Sequence, residues 1–381
     1  MYGSTNKQEW SDNMRNAKWK IIGSGAVLGI LAALLVKFGN PVNMGICVAC
    51  FYRDIAGALG LHRAAVVQYI RPEIIGFILG AFIFAKAKGE FKARGGSSPI
   101  LRFVFGFFMM VGALVFLGCP LRMILRLANG DLNALVGLVG YIVGILVGIQ
   151  FLKRGFTLGK STKQPEISGY IMPVIAVVLL IFLVVAPAFI FFSTEGPGSK
   201  TAPILMSLAA GLIVGLMLQR TRLCTAGGFR DAFLIKDFHF LWGIIGVFVF
   251  ALISNLVFNP AAFKVGFAEQ PIAHSEHLWN FLGMALVGIT AVLLGGCPLR
   301  QTILAGEGDT DAAVTILGLI VGAAFAHNFG LASSASGTTA NGRIAVIVGF
   351  VVVIAIAISV VATANKNKKN FAQKEGGQVN G

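Results

Sequence analysis

The sequence predicts an all-α polytopic membrane protein, made of two inverted repeats of about five transmembrane helices each, with re-entrant half-helices that form an hourglass. Composition predicts the membrane class, because 56% of the 381 residues are hydrophobic and only 12% are charged. Soluble domains carry about 25% charged residues. A pentapeptide that occurs twice, as Gly118–Arg122 and Gly296–Arg300, predicts the repeat. Short apolar segments beside these motifs predict the half-helices.

A second pair of motifs supports the duplication. Cys47–Asp54 and Cys224–Asp231 both read cysteine, five residues, then Arg-Asp. The offset is 177 residues for this pair and 178 for the pentapeptide. Four of the five cysteines therefore occupy repeat-related positions, and the fifth is Cys50.

Ten apolar runs approach the roughly 20 residues that a spanning helix needs. The runs are 20–39, 66–86, 100–117, 133–152, 169–192, 203–219, 239–258, 278–295, 312–330 and 342–364. Basic residues such as Lys7, Lys88, Lys153 and Lys368 cluster in alternate loops and at both ends of the chain. The positive-inside rule then places both termini in the cytoplasm. Each half holds an odd number of crossings, so the second half is inverted relative to the first, as in transporters and channels.

The predicted organisation divides the chain at its polar segments. It consists of a cytoplasmic N-terminal segment (1–19), a first core (20–152), a cytoplasmic linker (153–168), the remaining helices (169–364) with the second repeat at about 203–364, and a cytoplasmic tail (365–381). The first residues are polar and no cleavable signal peptide is expected. The net charge of +15 lies in the loops and ends, so it predicts topology rather than nucleic-acid binding. We expect a multi-pass protein of the bacterial cytoplasmic membrane.

Four segments are too apolar for loops and too short to span the membrane: 42–60, 120–128, 222–236 and 298–306. Such segments are tolerated at membrane depth only when they are buried in protein or line a cavity. The topology predicts that two enter from each side and converge on one axis, each with a cysteine near its start.

The repeated pentapeptide predicts an anion site. Cys119 and Cys297 each precede a proline, and proline is favoured at the first position of a helix. Each cysteine is therefore predicted at an N-cap, where free N–H groups and the helix dipole attract anions. Arg122 and Arg300 add positive charge on the first turn, unless they are snorkelling interfacial side chains.

A thiol is a weak donor and a soft, polarizable partner, which suits a sulfur or selenium atom better than a hard oxyanion. Cys47, Cys119, Cys224 and Cys297 could pass a soft anion along by contacts that are favourable but weak. The alternative is that these cysteines are small buried apolar residues.

Cys50 completes a Cys-x-x-Cys motif with Cys47, which could be redox-active or half of a zinc site. Gly227 replaces it in the other repeat. We interpret Cys50 as an additional thiol and a candidate for substrate specificity.

The remaining intramembrane charges have both structural and functional interpretations. Arg53 and Arg230 each precede an aspartate, and ions inside a membrane must be paired. We interpret Asp54 and Asp231 as structural and leave the arginines as candidates for the pathway.

Two further features have mainly structural interpretations. Asp131 and Asp309 follow glycine, and we expect them to cap the next helix. A proton role for His327 has weak support. No P-loop, zinc-protease or dinucleotide motif is present, so we expect no cofactor, no metal and no enzymatic activity.

Together the motifs resemble the YeeE/YedE sulfur-transport family, and within it the selenium-associated YedE-type transporters. The matching stretches are Cys47-Val-Ala-Cys50-Phe-Tyr-Arg53-Asp54, Gly118-Cys119-Pro-Leu-Arg122, Gln219-Arg-Thr-Arg-Leu-Cys224-Thr-Ala-Gly-Gly-Phe-Arg230-Asp231 and Gly295-Gly296-Cys297-Pro-Leu-Arg300.

The resemblance implies an hourglass with inverted halves and, in the characterised branch, import of thiosulfate. It also implies a relay along central cysteines, which correspond here to Cys119, Cys297, Cys47 and Cys224. The chain departs from that branch at Cys50 and at the Pro-Leu-Arg after each Gly-Cys, and these features look like the selenium-associated branch.

We therefore predict a transporter that imports a small sulfur- or selenium-containing anion without chemical change. One alternative is a membrane transferase that forms a persulfide on a pathway cysteine, and another is a passive anion channel. A soluble thiol-carrier protein at the cytoplasmic mouth is a hypothesis based on Arg220, Arg222 and Arg230. The lipid bilayer is the other expected partner, and no nucleic acid is expected.

Overall fold

A computed structural model describes residues 4–378 of the chain, and the side chains of residues 16–366. Within them the chain is almost entirely helical. The α-helices are α1 (Ser4–Lys37), α2 (Val48–Ala58), α3 (Pro72–Ala87), α4 (Pro99–Phe116), α5 (Pro120–Ala128), α6 (Asn133–Lys153), α7 (Glu166–Gly169), α8 (Ile171–Val185), α9 (Gly196–Ser199), α10 (Ile204–Thr221), α11 (Thr225–Leu234), α12 (His239–Phe258), α13 (His277–Leu293), α14 (Pro298–Gly306), α15 (Thr310–Asn328) and α16 (Ala340–Gln378). Two short 3₁₀ turns occupy Ala65–Val67 and Pro260–Ala262. The strands β1 (Arg94–Gly95) and β2 (Thr162–Lys163) pair antiparallel.

In the described part of the chain, nine helical segments are long and apolar enough to cross a membrane. The protein is therefore an all-α polytopic membrane protein, as the composition predicts. The first and last helices extend beyond their predicted apolar runs into the predicted terminal segments. Residues 1–3 and 379–381, and the side chains of Lys7 and Lys368, lie outside the described part.

The apolar run at 169–192 differs from the prediction of a full spanning helix. Its helix, α8, covers 15 residues, about 22 Å at 1.5 Å per residue. Ala186 ends it with a φ of 48°, and the proline that follows disfavours the helical conformation at that residue. The rest of the run continues as irregular chain.

The loops form two groups. Face A contains the loops around Asn43, Asn129, Pro197 and Lys264, and face B contains the loops around Lys92 and Glu307. At face A, Asn129 bonds to Asn43 (2.9 Å) and accepts a bond from the backbone of Lys264 (3.3 Å). At face B, Lys92 donates its backbone N–H to Glu307 (3.1 Å). Helix α3 connects the two groups, since Arg71 at its start bonds to Pro197 and its last turn lies near β1. Helix α1 ends and α16 begins at face A, so the start of α1 and the end of α16 lie toward face B.

The long helices pack in matched pairs. Helix α1 packs on α12 and α3 on α10, while α6 packs on α13 and α4 on α15. Under the repeat register, α1, α3, α4 and α6 correspond to α10, α12, α13 and α15, so each contact has a counterpart in the other half.

Glycines allow these pairs to approach closely. A Cβ at Gly140 would collide with the carbonyl of Phe281, and one at Gly318 would collide with the carbonyl of Phe103. The two glycines are repeat-related, and so are the two phenylalanines. This close approach is the small-residue packing expected of membrane helices.

Candidate functional site

Four short helices each begin at a cysteine. Cys47 is the N-cap of α2, Cys119 of α5, Cys224 of α11 and Cys297 of α14. Proline occupies the first turn of α5 and α14, which is the reason the sequence predicts N-caps at Cys119 and Cys297. The structure confirms both positions.

The cysteines meet in two pairs, one in each half of the chain. The Sγ atoms of Cys47 and Cys119 are 3.8 Å apart, and those of Cys224 and Cys297 are 3.7 Å apart. All four are buried free thiols, and these distances are contacts, since a disulfide bond is about 2.0 Å long.

Short helices from both halves of the chain meet around a small apolar cavity. Leu121 of α5, Thr225 of α11 and Leu299 of α14 line it beside Leu28 of α1. Its volume is about 10 Å³, which is close to the space of one water molecule. This cavity is therefore too small for a polyatomic anion in this conformation.

Arg122 is fully buried and forms three contacts near face A. Its Nε donates to the carbonyl of Asn43 (2.6 Å), Nη2 to the carbonyl of Ile272 (3.1 Å) and Nη1 to the Sγ of Cys50 (3.3 Å). This burial excludes a snorkelling role. The Cys-x-x-Cys motif thus contacts an arginine through its second thiol.

Arg300, at the equivalent position in the second repeat, is less well paired. Its Nη2 lies 3.9 Å from Glu307, and its side chain is 12% exposed. Its Nη1 is buried and has no hydrogen-bond partner among the described residues.

The two Arg-Asp motifs form ion pairs, as predicted. Arg53 bonds to Asp54 (2.6 Å), which also pairs with Arg71 (2.7 Å), and all three are buried. Arg230 pairs with Asp231 (2.7 Å) and remains partly exposed. The role of Arg71 was not visible in the sequence, because it depends on a contact between α2 and the start of α3.

Asp131 and Asp309 have the predicted structural role. Asp309 caps α15 by accepting a bond from the backbone of Ala312 (2.9 Å). Asp131 accepts a bond from the backbone of Asn133 (2.9 Å) and pairs with Arg126 (2.7 Å). The structure does not bring these carboxylates to the thiol pairs.

His327 lies near face A, where its ring stacks on His62 with centroids 4.6 Å apart. Burial lowers the pKa of His62. Among the residues with described side chains, no group of three or more His, Cys, Asp or Glu could hold a metal ion.

The structure also places two hydroxyls that the sequence analysis missed. Tyr141 of α6 lies beside Thr225 and near Cys224 and Cys297. Both hydroxyls are buried, and neither has the full geometry of a hydrogen bond with a described residue. A tyrosine within an otherwise apolar helix was the available signal, but its neighbours depend on the packing of α6 against α11.

Comparison with known proteins gives one family and two relatives. The family model described as sulphur transport matches residues 2–120 and 220–377. The thiosulfate transporter TsuA of Spirochaeta thermophila is 32% identical over 109 residues, which are 29% of this chain and 32% of the relative. The thiosulfate transporter TsuA of Escherichia coli is 32% identical over 113 residues, which are 28% of this chain and 29% of the relative.

The matched region therefore spans about a third of the length of these curated relatives. The family match is broader, since it covers both cysteine motifs of the second half and those of the first through Pro120. The chain belongs to the sulphur transport family, in agreement with the resemblance of its four cysteine motifs to YeeE/YedE proteins.

Proposed function

We propose that this protein transports a small sulfur- or selenium-containing anion across the membrane, along a path that includes both thiol pairs. The observation that carries this proposal is the pairing of four N-cap cysteines at 3.8 and 3.7 Å, once in each repeat. Membership in the sulphur transport family and the names of the two relatives support a thiosulfate-like substrate.

The chemistry of the pairs suits weak, sequential binding. A thiol contacts an exposed sulfur or selenium atom through a weak S–H donor and a polarizable surface. Four helix N-termini at these cysteines favour negative charge. Contacts of this kind hold an anion without trapping it, which conduction requires.

The proposed architecture is an hourglass of two inverted repeats. Support comes from the matched helix contacts and from the equivalent collisions at Gly140 and Gly318. The proposal is also supported by the cavity lined by Leu121, Thr225 and Leu299, where short helices from both halves of the chain meet. Opening at this point would join the two thiol pairs.

The proposed orientation puts face B in the cytoplasm, because the basic loops, the start of α1 and the end of α16 lie there. Arg220, Arg222 and Arg230 are then on the cytoplasmic side near Cys224, where a soluble thiol-carrier protein would receive the substrate. On the opposite side, Cys50 and Arg122 lie beside the first thiol pair on the path of the anion, and the additional thiol is a candidate determinant of whether the anion carries sulfur or selenium.

Uptake by cells that lack their own importers tests the proposal. Cells producing the protein should accumulate labelled thiosulfate or labelled selenite above the empty-vector control. Labelled sulfate should not accumulate, because its sulfur carries no lone pair and is enclosed by four oxygens, so it exposes no soft atom. Leu205→Ala is the matched control variant, because Leu205 is 81% exposed on the outside of the bundle. Equal uptake with and without the protein would overturn the proposal.

Mass spectrometry of the cysteines separates transport from transfer. The proposal expects unmodified Cys119 and Cys297 after exposure to substrate. A persulfide on either residue, formed together with release of sulfite from thiosulfate, would instead support the transferase.

A further inference from the structure

The two thiol pairs share two contacts and differ at one residue. Their sulfur separations are nearly equal, and the backbone N–H three residues after the first cysteine donates to its sulfur at 3.4 Å in both repeats. That third residue is Cys50 in the first repeat and Gly227 in the second. Only the first repeat therefore has a thiol at this place.

The arginine beside each thiol pair differs in its hydrogen bonds. Arg122 Nη1 donates to the thiol of Cys50 at 3.3 Å. Arg300 occupies the equivalent position, and its Nη1 is buried without a partner. A buried donor on a charged group is costly to leave unpaired, so this N–H marks a place where a ligand would be stabilised.

The space at Gly227 is narrow. A Cβ built there would lie 3.3 Å from the Cβ of Cys224, 3.5 Å from the ring of Phe240 and 3.9 Å from the Sγ of Cys224. The first contact is tight and the other two are ordinary van der Waals contacts, so a Cβ fits there once the Cys224 side chain shifts slightly.

Two more unpaired donors lie at the second pair and have no counterpart at the first. The buried hydroxyls of Tyr141 and Thr225 lie beside each other and near Cys297, and neither has the full geometry of a hydrogen bond with a described residue. The repeat-related residues are Leu319 and Val48, which carry no polar group. The second repeat is thus richer in unsatisfied hydrogen-bond donors beside its thiols.

The carboxylate near Arg300 does not occupy its Nη1 group. Glu307 lies 3.9 Å from Arg300 Nη2 and 3.2 Å from Arg94, and it also accepts a bond from Gln219 at 3.1 Å. Its carboxylate is therefore shared among three donors. The Nη1 group of Arg300 is on the other branch of the guanidinium and remains free to bind.

We propose that the second thiol pair is an oxyanion-binding subsite and that the first pair is not. Arg300 Nη1 and the hydroxyls of Tyr141 and Thr225 bind the oxygens of the anion, while its exposed soft atom, the outer sulfur of thiosulfate or the lone-pair-bearing selenium of selenite, contacts Cys224 and Cys297. At the first pair the Cys50 thiol already occupies the arginine, so the anion only passes through. This inference rests on the proposed transport function and assigns the substrate class as anions that carry both a soft atom and acceptor oxygens.

A side chain introduced at Gly227 tests the proposed subsite. In Gly227→Cys the new thiol would pair with Arg300 as Cys50 pairs with Arg122, and we expect the KM for thiosulfate to rise about tenfold or more, the equivalent of one charged hydrogen bond. Gly227→Ala is the matched control, because it adds the Cβ without a polar group, and its KM should change much less. The melting temperature of the Gly227→Cys protein in detergent should be equal or higher, because a buried donor gains a partner.

Two tyrosine variants provide a second test that does not alter the backbone at Gly227. Tyr141→Phe removes an unpaired hydroxyl, so KM should rise several-fold with no fall in melting temperature. Tyr52→Phe removes a hydroxyl that bonds to Thr302 at 3.0 Å, so its melting temperature should fall while KM stays constant.

The outcomes separate the inference from the function on which it rests. If the unaltered protein transports neither thiosulfate nor selenite, the proposed function fails. A different result overturns only the subsite, and the transport function then stands. In that case the unaltered protein transports one of the two anions, but either Gly227→Cys has the same KM as Gly227→Ala, or Tyr141→Phe leaves KM unchanged.

Discussion

Individual side chains show how charge is accommodated inside this bundle. Asp54 lies between Arg53 and Arg71 with contacts of 2.6 and 2.7 Å, and none of the three is more than 3% exposed. Arg71 also donates to the carbonyls of Pro197 and Lys200. The cluster therefore ties α2 to the start of α3 and to the loop before α10.

Replacing Asp54 by alanine should strongly destabilise the protein. The change leaves two buried guanidinium groups without their carboxylate, and breaking a buried pair in this way costs about 3–5 kcal/mol. Thermal unfolding in detergent measures the effect. Glu166→Ala is the control, because it breaks an exposed pair with Lys86 and should barely change the melting temperature. Equal shifts for the two variants would contradict a structural role for Asp54.

At the scale of elements, close helix pairs position the half-helices. Helix α6 packs on α13 and α15 on α4 through glycines whose Cβ positions are blocked by backbone carbonyls. Helix α6 also carries Tyr141 toward the second thiol pair, while α15 contacts α2 of the first pair. A change in these interfaces would therefore displace the thiols.

Enlarging a glycine at these interfaces should separate the helices. Gly140→Leu and Gly318→Leu should each lower the free energy of unfolding by about 1–3 kcal/mol or more, the usual cost of overpacking. The two losses should be similar, because the contacts are repeat-related. Gly23→Leu in α1 is the control, since nothing lies within 4 Å of a Cβ there. Unequal losses at Gly140 and Gly318 would count against a structural repeat.

At the scale of the whole molecule, the sequence predicted the membrane class, most of the helices and the family. These follow from composition, from runs of apolar residues and from two duplicated motifs, all of which are local patterns. The N-caps at Cys119 and Cys297 were also predictable, because the following proline determines where a helix starts.

The remaining features depend on contacts between distant segments. The Arg71 partner of Asp54, the hydroxyl of Tyr141 beside Cys224 and the unpaired Nη1 of Arg300 each require knowledge of which helices pack together. The short helix α8 was missed because the apolar run continues past Pro187, although the helix does not. Hydropathy alone does not register that change of backbone conformation.

The central claim is that one anion passes both thiol pairs in series, and transport by purified protein in liposomes tests it most directly. Cys119→Ser and Cys297→Ser each replace one soft thiol by a hard hydroxyl of similar shape, one in each pair. If the pairs act in series, either change alone should abolish uptake of labelled thiosulfate or selenite, whichever the unaltered protein transports. Uptake that survives in either variant, with the protein folded, would show that the anion does not need both pairs and would contradict the account.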